Sequence, residues 1–275
     1  MNLRFGNGIY FTDQFIDKDK IEFELDQRIL EQPLHWKKPR IVATQWLGDL
    51  FHEQIPYELI NKVFAVIRLA PHHKFLILTK RPRRMQEFLT TSGYADWGER
   101  RDDIAGECFE MQFEDKRSGL NRFTDNEMMI QPDEWPLSNV WLGVSICTQK
   151  EADEKIPILL QTSAAHRFVN LEPMLENIWL PASSISKLST GGITSNGGYS
   201  PGKYLKTIID WVLLGCESGP GRRPLKMEWA ESIIRQCKAA EVPLFIKQLD
   251  IKGKVEKDLS KFPNDLKIRV HPIWK

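Results

Sequence analysis

Short apolar runs recur along the chain, each closed by a turn residue or a charge: residues 40–47, 74–79, 140–146, 167–171, 211–215 and 243–247. None alternates apolar with polar positions, which is the pattern of a strand covered on both faces in a parallel sheet. Helical spacing separates them. Ile60, Val63, Phe64 and Ile67 fall at i, i+3, i+4 and i+7, one stripe of a helix entered through Pro56. Before the last run, Trp229, Ile233 and Cys237 share a face, with Ala230 and Ile234 beside them. Residues 151–161 form a shorter helical candidate interrupted by Pro157. Strand and helix in alternation predict right-handed crossovers, and so a parallel β/α barrel or a doubly wound sheet. Two stretches are too long for ordinary connections: residues 92–135, charged and weakly periodic, and 182–204, rich in Ser, Gly and Thr. They are expected as insertions, serving as lids, partner surfaces or loops, in a single domain over residues 1–275.

In barrels and open α/β sheets, functional groups gather where strands end. Asp49 and His52 follow the first run, and Thr79, Lys80 and Arg81 close the second. Glu172 closes the fourth, Glu217 and Ser218 the fifth, and Lys247 with Gln248 the last. These acidic and basic tips are expected to converge on one mouth; the competing reading is solvated loop charges and ion pairs between loops. Residues 215–224 read Gly-Cys-Glu-Ser-Gly-Pro-Gly-Arg-Arg-Pro. Glycines there permit close backbone approach, and exposed N–H groups with Arg222 and Arg223 favour a carboxylate or phosphate, although a tight surface turn has the same composition. The basic run at residues 80–84 grips phosphates or opens a solvated helix. His72 and His73 lack a metal-ligand partner at helical spacing and are expected at the surface. Cys147 and Cys216 both follow strand ends, as a metal or redox pair or as buried inert thiols.

Composition narrows the classes. The 275 residues carry a formal net charge of +1, so no global field draws in nucleic acid or an anionic membrane, and either would need a local patch. No run of about 18 apolar residues exists to span a bilayer, and the start carries no secretory apolar segment. Four widely spaced cysteines imply reduced thiols and a cytoplasmic protein.

Several segments together resemble a known family. They are Gln32-Pro33-Leu34-His35-Trp36-Lys37-Lys38-Pro39-Arg40, Asp49-Leu50-Phe51-His52, Leu78-Thr79-Lys80-Arg81-Pro82, Asn139-Val140-Trp141-Leu142-Gly143-Val144-Ser145, Arg167-Phe168-Val169-Asn170-Leu171-Glu172-Pro173, Gly215-Cys216-Glu217-Ser218-Gly219-Pro220-Gly221 and Phe245-Ile246-Lys247-Gln248. In this order they are similar to radical-SAM-like phage and prophage proteins of unknown function, named after mycobacteriophage gene products. The resemblance implies a parallel, partial β/α barrel of the radical-SAM type. It also implies, in full-length members, a CxxxCxxC segment holding a [4Fe–4S] cluster whose open iron takes S-adenosylmethionine and cleaves it to a deoxyadenosyl radical. Here the first cysteine is Cys108, so the sequence as written is expected to hold no such cluster and to perform no radical chemistry unless a cluster segment lies upstream. Ile146-Cys147 also departs from the family's acidic or amide pair. By resemblance, Glu172 and Glu217 would meet ribose hydroxyls or the methionyl ammonium. Lys80, Arg81 and Arg222 would meet carboxylate or phosphate, and Asp49 would orient the substrate. A second expectation, from another class, is a non-catalytic barrel that binds nucleic acid or a co-encoded protein through its basic rim and insertions. A third is a cluster-independent enzyme acting on a phosphorylated substrate through residues 219–223.

Overall fold

A computed structural model of the chain describes residues 26–44, 48–89, 96–114, 125–130, 134–181 and 208–272. The expected insertion at 182–204 lies outside the described residues, as do parts of 92–135 and the end of the first apolar run, 45–47. The chain is mixed α/β, its strands mostly parallel, and it divides into two compact units, residues 1–141 and 142–275, with the boundary inside the third strand.

The first unit begins with two single-turn helices, α1 (Gln27–Leu30) and α2 (Gln32–His35), and then strand β1 (Ile41–Thr44). Helix α3 (Tyr57–Leu69) crosses over to β2 (Lys74–Thr79), which runs parallel to β1 from Ile41 opposite Lys74 to Thr44 opposite Ile77. The Phe75 N–H then donates to Asn139 O at the threshold of β3 (Val140–Ser145). Pro56 precedes α3 as its cap, and the expected stripe of Ile60, Val63, Phe64 and Ile67 is fully buried. Ala65 and Val66 on the helix's other side are buried as well. Their cover is α5 (Asp96–Glu114), which follows α4 (Pro82–Leu89) and packs along α3. Ile104, Ala105, Cys108 and Met111 make the buried face of α5, and the short α6 (Asp125–Met128) also contacts α3. Much of the charged stretch at 92–135 is therefore a helix that buries a second layer of apolar surface. An aromatic knot centred on Phe88 joins α4 to α3: its ring lies 5.9 Å from Phe51, 5.4 Å from Tyr57 and 5.3 Å from Phe64. Each such side chain contributes roughly 1.5–3 kcal/mol by burial.

The second unit takes the rest of β3, helix α7 (Gln149–Gln161), β4 (His166–Leu171), β5 (Trp211–Gly215), α8 (Met227–Ala239), β6 (Leu244–Ile251) and β7 (Lys254–Glu256). Strands β4, β5 and β6 are parallel, and the β5–β6 register shifts between Leu214 and Gly215. Helix α7 begins two residues earlier than its pattern suggests, because Thr148 caps it by accepting the Glu151 N–H, and it continues through Pro157. The sixth apolar run is expected to stop at residue 247, but β6 continues to Ile251 and doubles back into the antiparallel β7. The other edge groups of β6 are met by the C-terminal segment: Ile246 N–H donates to Ile268 O and Val270 N–H to Leu244 O. The edge of β6 opposite β5, which would otherwise template aggregation, is thus covered.

Candidate functional site

In the first unit one carboxylate gathers the strand-end groups. Asp49 Oδ1 accepts the Thr79 hydroxyl (2.6 Å) and the Phe51 N–H (3.0 Å), and Oδ2 accepts the Lys80 N–H (2.9 Å) and Arg81 Nη1–H (2.9 Å). A carboxylate offers about four lone-pair positions, so Asp49, with its side chain 10% exposed, is saturated by the protein itself. Arg81 also donates through Nε to Glu53 at 2.6 Å. Burial opposes its charge, but Glu53 and Asp49 outweigh that and raise its pKa. Arg84 donates to Glu53 O and Ile55 O and stacks 4.6 Å over the Tyr57 ring. His52 Nδ1 accepts the Gln54 N–H within the turn. Of the basic run, the Lys80 and Arg83 side chains are exposed. The structure brings Asp49, Thr79 and Arg81 together, while Glu53, the second partner of Arg81, had no signal in periodicity or motif.

The second unit builds a different centre. Glu172, which follows β4, lies across the end of β5 and reaches β6. Lys247 Nζ sits 2.9 Å from Oε1 and 3.0 Å from Oε2, and Gln248 Nε2 donates to Oε1 at 3.2 Å. Gly215 makes this crossing possible, because a Cβ there would come within 3.0 Å of the Glu172 carboxyl carbon. Gln248 Nε2 also donates to Cys216 O (2.7 Å), and the Cys216 N–H donates to the Gln248 backbone O, so side chain and backbone of Gln248 are both tied to Cys216. The register shift at Gly215 places Gln248 opposite it, so the end of the β5–β6 ladder, rather than the end of β6, sets the position of Lys247 and Gln248. Just beyond Glu172, the Met174 N–H donates to Gly215 O and the Leu175 N–H to Cys147 O, holding that loop against the ends of β5 and β3.

The loop after β5 closes on itself. Glu217 pairs with Arg223, and Arg222 reaches Asp250 Oδ2 at 3.5 Å and donates to Gly253 O. Ser218 is exposed. The sequence singled out both Glu217 and Arg223 without pairing them, whereas Asp250, the partner of Arg222, carried no signal.

The thiols do not suit a three-thiolate cluster. Burial pushes the Cys108 and Cys237 thiols up to about 12 and Cys216 to about 11, so each resists the thiolate form a metal requires. Among the described residues, no three His, Cys, Asp or Glu side chains are grouped to hold a metal. The buried-thiol reading of Cys216 fits these surroundings.

A sequence model of the family described as Protein of unknown function (DUF5131) matches residues 5–265. The chain belongs to the DUF5131 family. No curated protein and no solved structure matches this DUF5131 chain. The matched residues include both the Asp49 and the Glu172 centres.

Proposed function

We propose that this DUF5131 protein is a radical-SAM-like barrel that binds S-adenosylmethionine at the carboxyl ends of its second unit's strands, and that its described residues support binding without radical chemistry. The supporting observation is the state of Glu172. Oε1 receives both Lys247 and Gln248, whereas Oε2 receives Lys247 alone, which leaves an acceptor position on a carboxylate that is 13% exposed. Asp49 has no such vacancy. In an open α/β sheet the crevice outside the carboxyl ends of the strands is where ligands bind. A preorganised carboxylate there accepts a ribose hydroxyl or an ammonium group. Lys247 holds the Glu172 carboxylate in place, and Gly215 keeps the space that its side chain crosses. No step is assigned to an iron–sulfur cluster, because the chain's thiols do not fit one.

Calorimetric titration of the full chain with S-adenosylmethionine is expected to show saturable binding. Glu172→Gln, which keeps the shape and removes the charge, should weaken it roughly 10- to 100-fold, the worth of one charge-assisted hydrogen bond. Absence of binding to the folded wild-type chain would end this reading. Deoxyadenosine formed by the chain after incubation with iron, sulfide and a reductant would overturn its non-radical part.

A further inference from the structure

The loop joining β5 to α8 already holds an anion. Glu217 presents both carboxylate oxygens to one residue: Oε2 accepts the Arg223 backbone N–H (2.7 Å) and Nε–H (2.9 Å), and Oε1 accepts Nη2–H (2.7 Å). The Nε–H and Nη2–H edge of the guanidinium, with the backbone N–H of the same residue, forms a cradle shaped for a planar two-oxygen group. The cradle is open to solvent, with the Arg223 side chain 60% exposed and that of Glu217 26% exposed. The same contact draws the Glu217 pKa down to about 2, so the two groups stay charged throughout the neutral range. The intervening chain turns through Gly219 (φ +103°) and Gly221 (φ +67°), and a Cβ on either would meet no atom within 4 Å. These glycines therefore serve the backbone turn rather than packing, and the space around them is clear. Arg222, by contrast, is committed to Asp250 and Gly253 O and anchors the loop to the β6–β7 hairpin.

We propose that the Arg223 cradle is a carboxylate-binding site kept shut by Glu217, and that the carboxylate of a small molecule enters by taking Glu217's place. An exposed ion pair is weak and screened by salt, so opening it costs little free energy. The internal carboxylate nevertheless competes at an effective concentration in the millimolar range, because a short loop tethers it. A simple monocarboxylate therefore binds poorly to the intact loop, and removal of Glu217 unmasks the site. The inference does not depend on a ligand at Glu172.

The test uses the full chain and acetate as probe, with the Arg223 Nε–H followed by nitrogen-15 NMR. In Glu217→Ala, acetate should shift that resonance saturably, with an affinity about tenfold or more above wild type, as expected when a tethered competitor is lost. Glu217→Gln, which keeps the side-chain volume, should behave in the same way, and Glu217→Ala combined with Arg223→Ala should abolish binding. Inorganic phosphate should bind more weakly than acetate. The proposal is overturned if both single variants, folded by circular dichroism, leave the Arg223 signal unmoved by acetate, or if phosphate binds more tightly.

Discussion

Among single residues, His73 shows how far an environment can depart from a local pattern. Expected at the surface beside His72, it is wholly buried. Its Nδ1 accepts the Arg40 N–H at 3.2 Å and its Nε2–H donates to Pro33 O at 3.0 Å, tying α2 to the start of β1. The Trp36 ring stands 5.5 Å away and the His72 ring 3.9 Å away. Burial first, then the neighbouring His72 and Arg40 charges, lower its pKa from 6.5 to about 4, with Pro33 O opposing. The folded state thus resists a proton that the unfolded chain accepts. The stability this contributes is complete above the unfolded value of 6.5 and is lost as pH falls through about 4. The slope approaches about 1.4 kcal/mol per pH unit inside that window. Gln can make both hydrogen bonds without titrating, so urea unfolding of His73→Gln should lose this slope. An unchanged pH dependence would contradict the role given to His73.

Elements are held by groups that the hydrophobic pattern does not reveal. Arg167 opens β4 yet finishes α7: its Nε–H donates to Leu159 O (3.0 Å) and its Nη2–H to Thr162 O (2.6 Å). The side chain is fully buried, and burial lowers its pKa to about 10, with Asp210 opposing. Arg167→Met keeps the bulk but strands Thr162 O, worth about 1–3 kcal/mol when left unpaired, while Leu159 O keeps the Thr162 N–H. A loss of roughly 1–3 kcal/mol in denaturant unfolding is expected; a loss near zero would show that the contact is dispensable. Helix α5 teaches the converse lesson. Its buried positions Ile104, Cys108 and Met111 do recur at helical spacing, but intervening charges dilute them below notice in a stretch read as an insertion, whether lid, partner surface or loop.

For the whole molecule the decisive quantity is charge compensation. Lys and Arg number 38 against 37 Asp and Glu, and the strand-end arginines repeat that balance locally. Arg81 faces Asp49 and Glu53, Arg222 faces Asp250, and Arg223 faces Glu217. A nucleic acid would have to displace these carboxylates before releasing its own counterions. Gel-shift assays with single- and double-stranded DNA and RNA at low salt are expected to show no complex. A complex whose affinity falls steeply with salt would favour the nucleic-acid reading over a small ligand. Among the described residues no helix is long and apolar enough to cross a membrane.

By itself the sequence determined strands β1–β6 and helices α3, α7 and α8. Residues 74–79 and 211–215 appear as β2 and β5 at their expected limits, and the Ile60–Ile67 stripe is buried as its spacing demands. Periodicity is a local property of the chain, and burial follows from it. Which charge meets which was decided only by the tertiary structure. Saturation of Asp49, the passage of Glu172 over Gly215 to Lys247, and the closure of Glu217 on Arg223 depend on where loops bring strand ends. Ion pairs act over a few ångströms and carry no sequence period, so their partners become legible only when the backbone is folded.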